Sequence, residues 1–358
     1  MRGKYFDSQR SVTLAEILSQ PAVWQTQFAE LKQSALIESI LQQTISRTEW
    51  LFVGCGTSYY LAEAAASTWT ILTGQRARAL PASEVLLFRE ASYLQPDALQ
   101  SVIISRSGST SEAVRAAAML SRELRIPTIG ITCAENSALE RACDQTILVS
   151  AADEKSIVMT RSFTTMLMTL QHLAARTASR EDFFESQMGA AVHFAAQINS
   201  LCERVEAFVE KHSCEDFIFL GQGPFHAIAR EAALKVMEMS CSYSQVFHTL
   251  EFRHGPKAVV SPQTCLTFFL SETAMATESE LIAEMKELGA PIIAICNRAT
   301  DSIRRSSNFV FELGFNGPEL ATLLPFIVPL QLLGFFTALK KNLNPDEPKN
   351  LSRVVILS

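Results

Sequence analysis

The chain has 358 residues, 48% of them hydrophobic, which is long for one core and ample for two units. A net charge of −6 and a pI near 5.6 exclude a broadly basic nucleic-acid surface, though not a local anion site. The eight cysteines form no CxxC pair, and the charged start MRGKYFDSQR leads into no apolar h-region, so reduced thiols in the cytoplasm are expected rather than a disulfide framework or a secreted domain.

Residues 26–44 carry apolar side chains at helical spacing, with Phe28, Leu31, Ala35, Ile40 and Leu41 on one side. Residues 50–53 form a short apolar run that ends in Gly54-Cys55-Gly56-Thr57-Ser58 and enters an Ala-rich helix. Arg76 and Arg78 read as a solvated turn. A second run, residues 101–104, ends in Ser105-Arg106-Ser107-Gly108-Ser109-Thr110, and Ser109 with Glu112 predicts a capping box for the next helix. The run at 127–132 is followed by Asn136-Ser137, a helix opening, and the run at 145–149 closes the set. Strands alternating with helices imply a parallel sheet covered on both faces.

The same order returns downstream. Residues 217–220 end in Gly221-Gln222-Gly223, residues 265–270 end in Ser271-Glu272-Thr273, and runs at 290–295 and 309–311 follow. A nearly constant spacing relates Gly54 to Gly221, Ser105 to Ser271 and Pro127 to Pro291. The expected fold is therefore a duplicated, doubly wound α/β protein, its halves joined by helices around 162–210. The expected divisions are an N-terminal extension (1–25), a first subdomain (26–190), a second (191–342) and a C-terminal tail (343–358). Residues 320–339 are nearly uncharged and long enough to span a bilayer, but Pro325, Pro329 and Gly334 interrupt them, and a buried core helix is expected.

Ligands of open parallel sheets bind beyond the carboxyl ends of the strands. Ser105, Ser107, Ser109, Thr110 and Ser111 form a hydroxyl-rich turn running into a helix N-terminus, which suits a phosphate dianion; helix capping is the plainer alternative for some of them. The GxG at Gly54 lacks the third glycine of a dinucleotide loop, Tyr59 standing in its place. Glu251-x-x-His254 alone does not make a metal site, so neither metal nor cofactor is expected. The remaining histidines (His172, His193, His212, His226, His248) read as structural or surface residues. Glu231, Lys235 and Glu238 stand at i, i+4 and i+7, with Pro224 in the first turn of their helix. Acid, base and acid on one face, followed by Glu251 and His254, is an inventory for moving protons; a solvated face with an i,i+4 salt bridge is the alternative.

GCGTS (54–58), SRSGST (105–110), REAALKVME and EFRHGP together resemble the sugar isomerase (SIS) superfamily, over nearly the whole chain. The chain is similar both to the isomerase domain of glutamine–fructose-6-phosphate aminotransferases and to the tagatose-6-phosphate ketose/aldose isomerase family, which includes amino-sugar-phosphate deaminases. The resemblance implies two SIS-type subdomains. It also implies that Ser105, Arg106 (largely through its backbone), Ser107 and Thr110 hold the sugar phosphate, with Gly56, Thr57 and Ser58 beside it. Glu238 matches the base that moves a proton between C1 and C2, supported by Glu231 and Lys235. His254 matches the ring-opening residue, supplied across a homodimer interface. The segment MTRSFTTM (159–166) is closer to the ketose/aldose isomerases.

Two departures narrow the expected reaction. No cysteine precedes Cys55, so a glutaminase part and its ammonia are not expected in this polypeptide. In the aminotransferases a tail lysine forms a Schiff base with the sugar; here Arg353 matches it, and arginine is a poor amine nucleophile. Nearby Lys349 matches an arginine of the family pattern. The expectation is an isomerase that deaminates an amino-sugar 6-phosphate, with Arg353 as a tail residue at the substrate. An aminotransferase-like isomerase, a fructosamine-phosphate deglycase and a non-catalytic sugar-phosphate sensor are the alternatives.

Overall fold

The computed structural model describes residues 11–92 and 94–357; the charged start, residues 1–10, lies outside them. Among the described residues, three helices precede the first strand: α1 (Val12–Leu18), α2 (Gln20–Lys32) and α3 (Ala35–Thr44). The single helix expected over 26–44 is thus broken. Ser34 adopts an extended conformation and its hydroxyl accepts from Ile37 N–H at 3.3 Å, so a hydroxyl N-cap starts a new helix where the spacing looked continuous.

Strands and helices then alternate: β1 (Glu49–Gly54), α4 (Thr57–Thr73), β2 (Arg76–Pro81), α5 (Ala82–Leu87), β3 (Leu99–Ile104), α6 (Ser111–Ala118), β4 (Thr128–Thr132), α7 (Ala138–Ala142) and β5 (Gln145–Leu148). The long helices α8 (Arg161–Thr177), α9 (Glu181–Ala195) and α10 (Ile198–Lys211) lead to the second set. That set is β6 (Asp216–Gly221), α11 (Pro224–Ser240), β7 (Tyr243–His248), β8 (Thr264–Phe269), α12 (Met275–Glu287), β9 (Ile292–Cys296), α13 (Asp301–Ser306), β10 (Phe309–Glu312) and α14 (Leu323–Lys340).

The chain forms two compact units. Of the described residues, one comprises 22–155, 159–188 and 352–357; the other holds 11–21, 156–158 and 189–351. Each carries a five-stranded, all-parallel sheet, ordered β2-β1-β3-β4-β5 in the first and β7-β6-β8-β9-β10 in the second. These are the same topology written twice, a doubly wound α/β fold. β2 and β7 are absent from the sequence-based reading, and Arg76 and Arg78 lie on a strand rather than a turn. Both are edge strands, only partly buried, so they need no continuous apolar run; Arg78 instead pairs with Glu49 of β1 at 3.3 Å.

The duplication reaches the turn geometry. Gly56 has φ 55° and ψ −126°, and Gly223 has φ 52° and ψ −131°, a region that a side chain excludes. A Cβ on Gly54 would lie 2.3 Å from Ser58 O, and one on Gly221 would lie 2.6 Å from Phe225 O, so each sharp turn into the first long helix requires glycine. Strand register corrects one correspondence. Ser105 N–H donates to Ile131 O at 3.1 Å and Leu270 N–H to Ile295 O at 2.9 Å, which places Leu270, not Ser271, at the position of Ser105.

Residues 319–340 are long and apolar enough to cross a membrane, yet 321–338 are buried without a break inside the protein. α14 runs beside α11, and Gly334 permits the approach: a Cβ there would stand 2.9 Å from Lys235 O. The core helix therefore sets the burial of the helix that carries the acid–lysine–acid face. All eight cysteines are free thiols.

Candidate active site

In the first unit, β3 ends at the 105–110 turn and α6 begins at Ser111. Gly108 has φ 60°, and its N–H closes the turn onto Ser105 O at 3.1 Å. The expected Ser109–Glu112 capping box does not form. Thr110 is the N-cap and makes no side-chain cap bond, while Ser109 turns its hydroxyl back onto Ser107 O at 3.1 Å and donates its N–H to Ser107 Oγ at 3.3 Å. Ser105 Oγ donates to Thr110 Oγ1 at 3.3 Å. The hydroxyls are thus gathered within the turn rather than spent on capping.

Arg106 is buried, and both ends of it are fixed. Its carbonyl accepts from Cys133 N–H at 3.0 Å and from Thr132 Oγ1 at 3.1 Å. Its guanidinium meets the Glu154 carboxylate at 3.4 Å and donates through Nη2 to Arg353 O at 2.9 Å. Gly56, Thr57 and Ser58 open α4 in the same unit, with Thr57 and Ser58 buried in its first turn. Burial and the charge of Glu112 push the Cys55 thiol up to about 11, which disfavours the thiolate. Arg353 lies at the tail with its guanidinium 2.9 Å from Asp153.

In the second unit, α11 carries the acid–lysine–acid face. Lys235 Nζ lies 3.3 Å from Glu231 and 2.5 Å from Glu238. The solvated-face alternative fails. Lys235 and Glu231 are fully buried, and only Glu238 keeps partial access, its side chain 19% exposed. Burial alone pushes Lys235 down, but the two carboxylates outweigh it and leave the ammonium above its ordinary range. The arrangement is a buried cation flanked by one sealed and one reachable carboxylate. His254 and Glu251 lie on the exposed turns that follow β7.

The sequence-based reading missed three buried groups. Glu154 is the carboxylate partner of Arg106. Glu278, on α12, accepts from Ser271 N–H at 3.0 Å; burial pushes it up to about 7, against the lowering effect of that N–H and the Thr249 hydroxyl. His172 is buried against Phe184, ring centroids 3.9 Å apart, with neither ring nitrogen hydrogen-bonded; burial pushes it down to about 4. Among the other histidines, His226 and His248 stack at 3.9 Å. Single acids and imidazoles within apolar helices give no sequence signal of what they face.

The SIS domain family model matches residues 45–176 and 212–322, more than half of the chain. A glucosamine-6-phosphate deaminase from Thermotoga maritima of known structure is 30% identical, aligned over 97% of this chain and 100% of that one, with a TM-score of 0.74. The tagatose-6-phosphate ketose/aldose isomerase of Escherichia coli has a TM-score of 0.81 over 100% of this chain and 99% of that one, but at 22% identity this likeness shows the fold alone. The Pseudomonas aeruginosa glutamine–fructose-6-phosphate aminotransferase (isomerizing) is 29% identical over 99% of this chain and 59% of its own length. The chain thus spans a little over half the length of such curated relatives.

Proposed function

The chain belongs to the SIS domain family, and from that premise we propose that it isomerises an amino-sugar 6-phosphate with release of ammonia. The carrying observation is the face of α11, where Glu238 alone among three paired charges is open to a ligand. A reachable carboxylate is a suitable base for a carbon-bound proton. The buried Lys235 acts behind it, anchoring the Glu238 carboxylate rather than touching the sugar, and Glu231 balances the lysine in turn.

In this reading the 105–110 turn, with Gly56, Thr57 and Ser58, holds the phosphate and sugar. His254 opens the ring; its exposed turn supports a role across a homodimer interface. Glu238 takes the C2 proton of the open-chain 2-amino-2-deoxyhexose 6-phosphate, and the C1 carbonyl becomes an enol as C1=C2 forms. Reprotonation at C1 gives the C2 imine, and water replaces the nitrogen, yielding ketose 6-phosphate and ammonia. No amine of the protein enters this sequence, in keeping with Arg353 and its pairing to Asp153. The enzyme works in the cytoplasm with its thiols reduced.

Incubation with glucosamine 6-phosphate and galactosamine 6-phosphate, assayed for ammonia and ketose phosphate, tests the reading. Equal yields of the two products are expected from one of these sugars. Ketose formed from a neutral aldose phosphate, with no ammonia from either amino sugar, would make it a plain isomerase. Glutamate released from glutamine and fructose 6-phosphate would instead favour the aminotransferase reaction that the curated relatives are named for.

A further inference from the structure

We propose that Glu154 is a positioning residue for the phosphate turn: through Arg106 it fixes that turn and straps the C-terminal residues 353–357 across the first turn of α6. The proposal rests on the functional reading above only for what the turn binds.

Glu154 is 1% exposed, and a carboxylate so buried persists only if its oxygens are met. Four donors come from the segment just after it: Thr160 N–H at 2.7 Å and Oγ1 at 2.8 Å, and Ser162 N–H at 3.1 Å and Oγ at 2.6 Å. The neutralising charge comes from Arg106, inside the turn itself. One end of the 105–110 turn is thereby tied to the start of α8, while the Arg106 carbonyl is tied to the end of β4.

The other face of the same guanidinium holds the tail. Arg106 Nη2 donates to Arg353 O, and Asp153, next to Glu154, pairs with the Arg353 side chain. Beyond that anchor the tail runs over α6: Ser111 N–H donates to Val355 O at 3.3 Å, and Leu357 N–H donates to Ser111 Oγ at 2.9 Å. Ser111 is the first residue of α6, and its N–H, one of the donors that a helix start leaves without an intrahelical partner, is taken by the tail. The tail thus lies against the helix start that follows the phosphate turn, and Arg106, a member of that turn, decides how firmly the tail is held there. Glu154 meets Nη1 and Arg353 O meets Nη2 of Arg106, a fixed fork that a single ammonium does not reproduce.

The test uses the full chain carrying Glu154→Gln, with Arg106→Lys as a second variant. The carboxamide keeps an acceptor for Thr160 and Ser162 but turns N–H groups toward Arg106. Amide hydrogen exchange of residues 354–357 and Ser111 should speed up about tenfold in both variants, the response to losing one charge-assisted anchor. KM for glucosamine 6-phosphate and the inhibition constant of inorganic phosphate should rise together, about tenfold, with kcat within about threefold. Unchanged tail exchange, or a lowered Tm with KM and phosphate inhibition both unaltered, would overturn the proposal and leave Glu154 a structural residue. If the wild type binds neither inorganic phosphate nor glucosamine 6-phosphate, the functional reading fails, and the exchange measurement still decides the strap.

Discussion

Lys235 Nζ donates to Glu238 Oε2 at 2.5 Å from a position that solvent does not reach, while the carboxylate it holds stays partly open. The two residues therefore respond differently to substitution. Glu238→Gln removes the base but leaves Lys235 paired with Glu231, so the protein should fold normally and retain glucosamine 6-phosphate. Its kcat should fall roughly a thousandfold, within the range expected for loss of a general base. Lys235→Met strands Glu231, a fully buried carboxylate, and should cost about 3–5 kcal/mol of stability. Denaturant unfolding beside steady-state kinetics separates the two effects. A Glu238→Gln variant with full turnover would remove the proposed base.

His172 should set part of the acid sensitivity of the fold. Its pKa is about 4 in the folded chain, against an ordinary value of 6.5, so below pH 6.5 the unfolded state binds the proton first. Stability should then drop as pH falls from 6.5 towards 4 and level off below, by up to about 3 kcal/mol for this group. His172→Leu, of similar volume and with no ring nitrogens to desolvate, should abolish this component and raise stability at pH 7 by about 1–2 kcal/mol. Urea midpoints of the two proteins between pH 4 and 8 test this; parallel curves would show that His172 takes up its proton at the same pH in the native and unfolded states.

Glu278 carries the opposite sign. Its folded pKa of about 7 lies above the ordinary 4.5, so the native state holds the proton longer than the unfolded chain does. Stability from this group is complete below pH 4.5 and is lost as pH rises through 7, again by about 3 kcal/mol at most. When neutral, the Glu278 carboxyl can instead donate to the buried Thr249 hydroxyl. Glu278→Gln keeps an acceptor for Ser271 N–H and supplies a fixed donor. Its gain over the wild type should therefore grow between pH 5 and 8.5, and a gain that does not change with pH would contradict the assignment.

What could be read ahead of the structure follows from locality. β1, β3, β4 and their counterparts are buried on both faces and appear as apolar runs, whereas β2 and β7 lie at sheet edges where Arg78 or Gln245 is tolerated. The 105–110 turn and the α11 face were visible because their members are neighbours in sequence. The burial of Lys235 was not, because α14 imposes it from about a hundred residues away through Gly334. Glu154 was hidden for a related reason: Thr160 and Ser162 are close to it in the chain, but Arg106 meets it only in the fold, and Arg353 O meets Arg106 in turn. The internal repeat was legible in order and slipped by one residue at Ser271, since only strand register identifies Leu270 as the counterpart of Ser105.

The phosphate turn itself makes a steric prediction. Gly108 has φ 60°, and a Cβ there would lie 2.3 Å from Ser137 Cβ and 2.9 Å from Thr132 Oγ1. Its carbonyl is also occupied, accepting from Leu139 N–H at 2.8 Å. Gly108→Ala therefore meets both backbone strain and a clash, and should destabilise by about 2–4 kcal/mol. Ser137 is the N-cap of α7, its hydroxyl accepting from Glu140 N–H at 3.2 Å, and glycine is a tolerable replacement at such a position, so Ser137→Gly alone should cost well under about 1 kcal/mol. Combined, the two substitutions should recover the part of the loss due to the Ser137 clash, while the strain at positive φ and the approach to Thr132 remain. A double-mutant cycle by denaturant unfolding gives that coupling directly, and purely additive effects would mean that the α7 start, not Gly108, yields to the added methyl.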